Sequence, residues 1–298
     1  SNTSSSLFSV IYANSLHVAS GNGGAIITST DGTTWTARTS GSTSSINGLA
    51  FGNSVYSFIT GGGGAATSTD AVTWTARTSQ TTSNIYAVTF ANSLFVYVGS
   101  NCIGTSTDGV TWTARTPATS SSMYGVSFGN STWVAVGNGK VQTSTDAITW
   151  GLGTAPVAGV MYSVFYNSGF YLTATNGIYT STNGSVWANN GGLVTTNTIN
   201  TVTYGTKFVI GDSGGNIYTS TNGTLWSQQT SPTSSAIFGM TYFNNIYVVS
   251  TAPGTNKFTS TDAVTWNTFA ANYTSSTLFA GGQYFMSANT SGSIEIST

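Results

Sequence analysis

Few side chains in this sequence could carry acid–base chemistry. The 298 residues include seven acids, one histidine and one cysteine. Five of the acids recur at one place in a repeated motif: Asp31, Asp70, Asp108, Asp146 and Asp262. The other two, Asp212 and Glu295, stand far apart in the chain. General acid–base catalysis needs ionisable groups that converge on one substrate. We therefore predict no catalytic residues, and a protein that is not an enzyme.

The repeated acid belongs to a motif that reads Ser-Thr-Asp-Gly-Thr-Thr-Trp at 29–35. Its tryptophans stand 37 to 40 residues apart: Trp35, Trp74, Trp112, Trp150, Trp187, Trp226 and Trp266. Asp and Asn side chains both accept hydrogen bonds from backbone N–H groups two residues on and so close tight turns. Asn183 and Asn222 replace Asp in two copies, which a catalytic acid or metal ligand would not tolerate. The motif is therefore predicted to be structural.

The residue after the motif acid suits a left-handed turn when it is Gly, as in Gly109. Three copies have Ala71, Ala147 or Ala263 there instead, which predicts that a positive φ is not obligatory at this position.

Each repeat unit contains four short runs of β-branched and aromatic residues, separated by turns of Gly, Asn and Asp. Such runs are typical of strands, so the chain is predicted to be all-β, in four-stranded antiparallel sheets. The first two runs are apolar on both sides and need a neighbouring sheet on each face. Radial stacking of the repeats, a β-propeller, satisfies this need, and a solenoid is the alternative.

Residues 1–6 are assigned to an N-terminal tail and 7–298 to a single β-propeller domain. The units start near residues 7, 46, 85, 123, 161, 199, 237 and 277, and the last has only three runs. We predict eight blades, the eighth incomplete, with seven blades and a displaced terminus as the alternative. An unpaired third strand at 293–298 would leave an open edge that another subunit could cover, forming a homo-oligomer.

The motif resembles the Asp-box of sialidases and other bacterial-neuraminidase-repeat propellers, Ser-x-Asp-x-Gly-x-x-Trp, which joins the third and fourth strands of a blade. With one residue fewer between Asp and Trp, it is more similar to the repeats of charge-poor secreted bacterial or phage propellers. The resemblance covers nearly the whole chain and implies the propeller fold. Sialidase activity would need an arginine triad at the central channel. Arg38, Arg77 and Arg115 instead share one repeat position on the outer strand, so a sialidase-like glycoside hydrolase is a disfavoured alternative.

The remaining reactive side chains also lack partners in the sequence. His17 has no acidic or cysteine neighbour and is predicted to be a half-buried strand residue. Cys102, without a matching His–Asp pair, is predicted to be inert. We expect no metal and no cofactor.

Charged residues make up 4% of the chain and the net charge is −1. This surface has almost no field to attract nucleic acid, which is excluded as a partner. No apolar run approaches the length of a spanning helix, so membrane insertion is not expected.

Recognition is predicted on the face opposite the motif, where the loops vary most. The second residues of the first strands lie there: Phe8, Asn47, Tyr86, Tyr124, Tyr162, Asn200 and Phe238. Tyr86, Tyr124 and Tyr162 would stack on sugar rings as a glycan-contact rim, and simple packing between blades is the alternative.

The resulting functional prediction is a structural or recognition propeller on a virion, such as a phage tail or head fibre, or on a cell surface. Its expected partners are other structural proteins of its assembly and surface glycans or a receptor. A protein scaffold that resembles the photosystem II assembly-factor propellers is the alternative.

Overall fold

The structure is a computed structural model that describes residues 5–31, 34–174, 177–189, 195–243, 245–252, 256–270, 277–281, 284–288 and 294–297. Apart from one short 3-10 turn at Asn22–Gly24, the elements in these ranges are all β-strands. They form seven four-stranded sheets, which we call blades one to seven, and one three-stranded sheet.

The strands follow the chain in order, four to a blade. Blade one contains β1 (Leu7–Ala13), β2 (Leu16–Gly21), β3 (Ile26–Ser29) and β4 (Thr36–Arg38), and blade two contains β5 (Ile46–Gly52), β6 (Val55–Thr60), β7 (Gly64–Ser68) and β8 (Thr75–Thr78). Blade three contains β9 (Ile85–Ala91), β10 (Leu94–Gly99), β11 (Cys102–Ser106) and β12 (Thr113–Arg115), and blade four contains β13 (Met123–Gly129), β14 (Thr132–Gly137), β15 (Val141–Ser144) and β16 (Gly151–Gly153). Blade five contains β17 (Met161–Tyr166), β18 (Phe170–Ala174), β19 (Gly177–Ser181) and β20 (Ala188–Asn189), and blade six contains β21 (Ile199–Tyr204), β22 (Phe208–Asp212), β23 (Ile217–Ser220) and β24 (Ser227–Gln229). Blade seven contains β25 (Ala236–Phe243), β26 (Ile246–Ala252), β27 (Asn256–Ser260) and β28 (Asn267–Ala270), and the last sheet contains β29 (Thr277–Gly281), β30 (Tyr284–Ala288) and β31 (Ile294–Ser297).

Tight turns make each blade an up-and-down sheet. Ala91 pairs with Leu94 across the β9–β10 hairpin, so Asn92 and Ser93 alone form its turn. Their φ angles, 47° and 59°, are both left-handed, as a type I′ turn requires. The first-to-second and third-to-fourth turns therefore share one side of the molecule, the motif face. The second-to-third turns and the links between blades share the other side, the loop face.

The first strands of successive sheets lie side by side around the centre. β1 contacts β5, β5 contacts β9, β9 contacts β13 and β13 contacts β17, while β25 contacts β29 and β29 contacts β1. The predicted all-β propeller of four-stranded antiparallel blades is confirmed. Seven blades have all four strands, and seven is the blade number of the alternative prediction. The main prediction of eight blades counted the last sheet, which has three strands, as an incomplete eighth blade.

The hydrophobic core lies between neighbouring sheets. Val134 and Val141 of blade four, for example, are fully buried against Met161 and Leu172 of blade five. Because both faces of a blade are covered in this way, its apolar strands need neighbours on both sides to be stable.

Candidate functional site

The motif turns show what the repeated acid does. One carboxylate oxygen of Asp70 accepts hydrogen bonds from the backbone N–H groups of Val72 and Thr73, both at 2.8 Å. It also accepts the Ser68 hydroxyl at 2.8 Å. The Trp74 indole N–H then donates to the carbonyl of Ala71 at 3.1 Å, which attaches the ring to the same turn.

These bonds leave the motif acids unsuited to proton transfer near neutral pH. The N–H groups of Thr73 and Val72 lower the pKa of Asp70 to about 2. Those of Thr265 and Val264 do the same for Asp262, whose pKa is also about 2. Backbone N–H groups likewise lower the pKa of Asp108 and Asp146. A carboxyl group with such a pKa stays ionised and is a poor general acid.

The amide at the same place in blade five makes the same bonds. The Asn183 side-chain oxygen accepts from the backbone of Ser185 at 2.9 Å and of Val186 at 3.0 Å, and from the Ser181 hydroxyl at 3.0 Å. Asn222 repeats this pattern in blade six. The turn therefore requires an acceptor atom and not a negative charge.

The expectation that a positive φ is not obligatory after the motif acid is wrong. Ala71, Ala147 and Ala263 have φ angles of 56°, 59° and 58°, close to the 72° of Gly109. The turn forces the left-handed conformation on Ala in spite of the steric cost of its Cβ. All three alanines are fully buried, so the methyl group has packing that offsets part of this cost.

The motif tryptophans differ in their burial. Trp35, Trp112, Trp150 and Trp226 are buried, whereas Trp74, Trp187 and Trp266 are half-buried. Trp112 packs against the rings of Tyr97 and Phe95 in its own blade, at centroid distances of 5.0 and 6.3 Å.

The arginines lie on the outer strands, away from the first strands at the centre. Arg38, Arg77 and Arg115 each donate their Nε–H to a threonine hydroxyl of the adjacent third strand at 2.8 to 2.9 Å. The structure thus does not bring them together at the centre as an arginine triad would require.

His17 is more deeply buried than the sequence suggested, with only 1% of its surface exposed. It stands in β2 where blades two and three have Tyr56 and Phe95, and its ring lies 4.5 Å from that of Tyr12. Burial lowers the pKa of the imidazole, although Asp31 acts in the opposite direction. Cys102 is also buried, two blades away, and burial raises the pKa of its thiol.

Asp212 accepts hydrogen bonds from the loop that follows it. It is fully buried, and its carboxylate accepts the backbone N–H groups of Gly214 and Asn216, both at 2.9 Å, and the Thr195 hydroxyl at 3.0 Å. Together with the Asn197 and Asn216 amides these bonds lower its pKa against the opposing effect of burial. Glu295 lies outside the residues whose side chains are described. Within the described ranges, no group of three or more His, Cys, Asp or Glu could hold a metal ion.

Sequence reasoning missed Lys257. This lysine is buried in β27, and burial lowers its pKa to about 8. The repeat register offered a signal, because Lys257 pairs with Ser250 at the place where Val141 pairs with Val136 in blade four.

The three tyrosines of the predicted rim all lie at the loop-face end of their first strands. The rings of Tyr86 and Tyr124 touch, with centroids 5.1 Å apart, and the Ser100 hydroxyl donates to the Tyr86 hydroxyl at 3.0 Å. Tyr162 is 46% exposed and Phe8, at the same position of blade one, is 48% exposed.

A β-bulge produces this exposure. In blade three Ile85 pairs with Gly99 and Ala87 with Val98, which leaves Tyr86 as an extra residue outside the ladder. The same register shift occurs at this position in all seven blades. Bulges redirect a side chain away from the regular alternation of a strand. The sequence does not directly indicate this bulge, because a bulge is defined by the register between two paired strands.

Two other residues at the bulge position link neighbouring blades. The side-chain amide of Asn47 donates to the carbonyl of Ile85 in the next blade at 2.8 Å. Asn200 donates to the carbonyl of Ile237 in the same way at 2.9 Å. At the bulge position, Asn47 and Asn200 therefore make contacts between blades, whereas Tyr162 and Phe8 expose their rings to solvent.

Among the described residues, no helix has the length and apolar character needed to cross a membrane.

Comparison with known proteins shows the fold alone. No protein-family model matches the chain, and no curated protein matches it. The computationally designed Ika8 protein is similar over 98% of this chain and 96% of its own, with a TM-score of 0.80 and 14% identity. Virginiamycin B lyase from Staphylococcus aureus is similar over 84% of this chain and 93% of its own, with a TM-score of 0.68 and 11% identity. YCF48 from Cyanidioschyzon merolae is similar over 87% of this chain and 93% of its own, with a TM-score of 0.60 and 16% identity. These structural neighbours differ in function, and the chain shares a β-propeller fold with all of them.

Proposed function

We propose that this chain is a non-catalytic recognition propeller of a virion or cell surface, with Asp-box-like turns, which contacts glycans through a rim of Tyr86, Tyr124 and Tyr162. The observation that supports this most is the bulge, which places these residues outside the strand ladder at the loop face. Aromatic faces beside hydroxyl groups are well suited to sugar rings, because the ring stacks on the apolar face of the sugar while polar groups bind its hydroxyls.

The polar groups beside the rim support the same proposal. The Ser100 hydroxyl contacts both the Tyr86 hydroxyl and the Ser122 hydroxyl, at 3.0 and 3.3 Å. This gives the rim donors and acceptors between blades three and four, at the place where two of its aromatic rings meet. The charge-poor surface favours an uncharged ligand such as a neutral glycan over a polyanion.

The test is glycan-array binding of a triple variant, Tyr86→Ala, Tyr124→Ala and Tyr162→Ala. We expect this variant to lose binding to the array glycans that the unmodified chain binds. The matched control replaces Tyr12, Tyr166 and Tyr204 by Ala, because these exposed tyrosines lie at the opposite, motif-face ends of first strands. Glycan binding that survives in the rim variant, or is lost equally in the control, would contradict the proposal.

A peptide-binding scaffold is the second candidate. Its support is the fold shared with YCF48, one structure of which is bound to D1 peptide, with a TM-score of 0.63 over 83% of this chain. An array that binds peptides and no glycan would favour this scaffold.

A further inference from the structure

Arg77 of blade two lies between two shallow cavities on the outer rim, both of which are open to solvent. The first, of about 570 Å³, is lined by Arg77, Thr78, Gln80 and Thr82, among others. The second, of about 320 Å³, is lined by Arg77, Thr78 and Gln80 together with Val110, Thr111 and Trp112 of blade three. Arg77 and Gln80 thus form a wall common to two adjoining spaces.

The Arg77 guanidinium is anchored at one end and available at the other. Its Nε–H donates to the Thr67 hydroxyl at 2.8 Å, which holds the half-buried side chain in one orientation. The described residues provide no ion-pair partner for its terminal nitrogens, and the linings of both cavities as described contain no acidic side chain. The carboxylate of Asp70, in the same blade, accepts three hydrogen bonds within its own turn. A planar guanidinium held in this way presents two parallel donors, which match a carboxylate.

Gln80 distinguishes this place from its equivalents in the neighbouring blades. Its φ is 67°, a left-handed conformation that is uncommon for Gln, and the same position in blade one is Gly41 with a φ of 74°. Blade three has Pro117 and Ala118 in the corresponding link. Gln80 is exposed and lines the larger cavity together with Thr78 and Thr82.

We propose that Arg77 and Gln80 form a binding site for an acidic saccharide, a sugar that carries a carboxylate, such as a uronic acid. The guanidinium of Arg77 binds the carboxylate through its terminal nitrogens. The Gln80 amide and the threonine hydroxyls bind the sugar hydroxyls. The site is distinct from the tyrosine rim and does not depend on it.

The molecule itself supplies a matched substitution. In blade six Gln229 takes the place of the arginine, and its side-chain amide donates to the Thr219 hydroxyl at 2.9 Å, as Arg77 does to Thr67. Arg77→Gln therefore preserves the anchor and removes both the charge and the terminal donors. Arg115→Gln in blade three is the control at the equivalent position, where the Nε–H bond to Thr105 is 2.9 Å long.

The experiment is a titration with sodium D-glucuronate at constant ionic strength, followed by NMR of the arginine Nε–H and backbone N–H signals. We expect saturable shifts of the Arg77 and Gln80 signals with a Kd of about 1 mM, and much smaller shifts of Arg38 and Arg115. Arg77→Gln is expected to weaken binding about tenfold or more, because charged hydrogen bonds are lost. Arg77→Lys keeps the charge without the planar fork and should also bind weakly. Arg115→Gln should bind as the unmodified chain does.

Several results would overturn the site. They are no saturable shift with glucuronate, equal shifts at all three arginines, equal binding of D-glucose or sodium acetate, or undiminished binding by Arg77→Gln. The triple tyrosine variant should still bind glucuronate, whereas Arg77→Gln should still bind the neutral glycans of the array. Failure of this site and failure of the proposed tyrosine rim can thus be distinguished.

Discussion

The motif turns of blades two and five have the same hydrogen bonds, although the acceptor side chain is charged in blade two and neutral in blade five. Asp70 and Asn183 each use one oxygen to accept two backbone N–H groups and one serine hydroxyl. The distances are 2.8 Å around Asp70 and 2.9 to 3.0 Å around Asn183, so the neutral amide closes the turn almost as tightly. The second carboxylate oxygen of Asp70 is not needed for the turn.

This comparison separates two features that the motif combines. The turn needs an acceptor and a left-handed residue after it, whereas stability depends on how far the following indole is buried. Trp226 follows Asn222 and is buried, while Trp187 follows Asn183 and is half-buried. The identity of the turn residue therefore does not decide the burial of the ring.

The largest expected effect comes from removing a buried indole. Trp112→Ala and Trp226→Ala should each lower the free energy of unfolding by about 3–5 kcal/mol, because both leave a cavity between strands and turn. Trp187→Ala should cost about 1–2 kcal/mol, since its ring already contacts solvent. Urea denaturation followed by circular dichroism gives the midpoints and slopes that compare the three. If Trp226 behaved like Trp187 rather than like Trp112, the charge of the turn residue would matter after all.

A second test concerns the left-handed position. Gly109→Ala should cost about 1–2 kcal/mol, because its φ of 72° is unfavourable for a side chain while the nearest atom to a new Cβ, Thr67 Cγ2, is 3.3 Å away. Gly223→Ala should cost about 1–3 kcal/mol more, because its Cβ would lie 2.3 Å from the Tyr171 ring. Equal midpoints of thermal unfolding for the two variants would show that the Tyr171 ring moves away without cost.

The sequence was sufficient for the fold because its strongest signals are periodic. Seven tryptophans at nearly equal spacing, each after three apolar runs, indicate stacked four-stranded units regardless of local detail. The replacement of Asp by Asn183 and Asn222 likewise pointed to a turn, and the observed hydrogen bonds have that geometry.

Features that depend on backbone angle or strand register could not be predicted in the same way. The residue type of Ala71 does not indicate a left-handed conformation, which the hydrogen bonds of the turn impose, and its alignment with Gly109 was the signal in the sequence. The bulge at Tyr86 depends on how two strands align, which composition does not determine. The burial of His17 was open to prediction, since alignment of the repeats places it with Tyr56 and Phe95, but one polar side chain in an aromatic column was taken as half-buried.

The smallest expected effect is a pH dependence confined to the acidic turns. Asp70 has a pKa of about 2 in the folded chain and 3.8 as its ordinary value. Its ionised form therefore stabilises the fold above the ordinary pKa, and this contribution is lost as the pH falls towards 2. Because Asp70 is exposed, Asp70→Asn should lower the free energy of unfolding near neutral pH by about 1 kcal/mol or less. As the pH falls through about 2, the difference in urea midpoint between the variant and the unmodified chain should shrink.

Asn183→Asp makes the reverse change in blade five and completes the comparison. The N–H groups of Ser185 and Val186 that now bind the amide would bind the new carboxylate, so the variant should gain stability near neutral pH and lose that gain in acid. Its gain should be smaller than the loss in Asp70→Asn, because Asp146 lines the same cavity as Asn183 and repels a second negative charge. A variant whose stability has the same pH dependence as the unmodified chain would mean that the turn N–H groups do not lower the pKa. The equivalence of the Asp and Asn turns would then be complete, with charge playing no part in either.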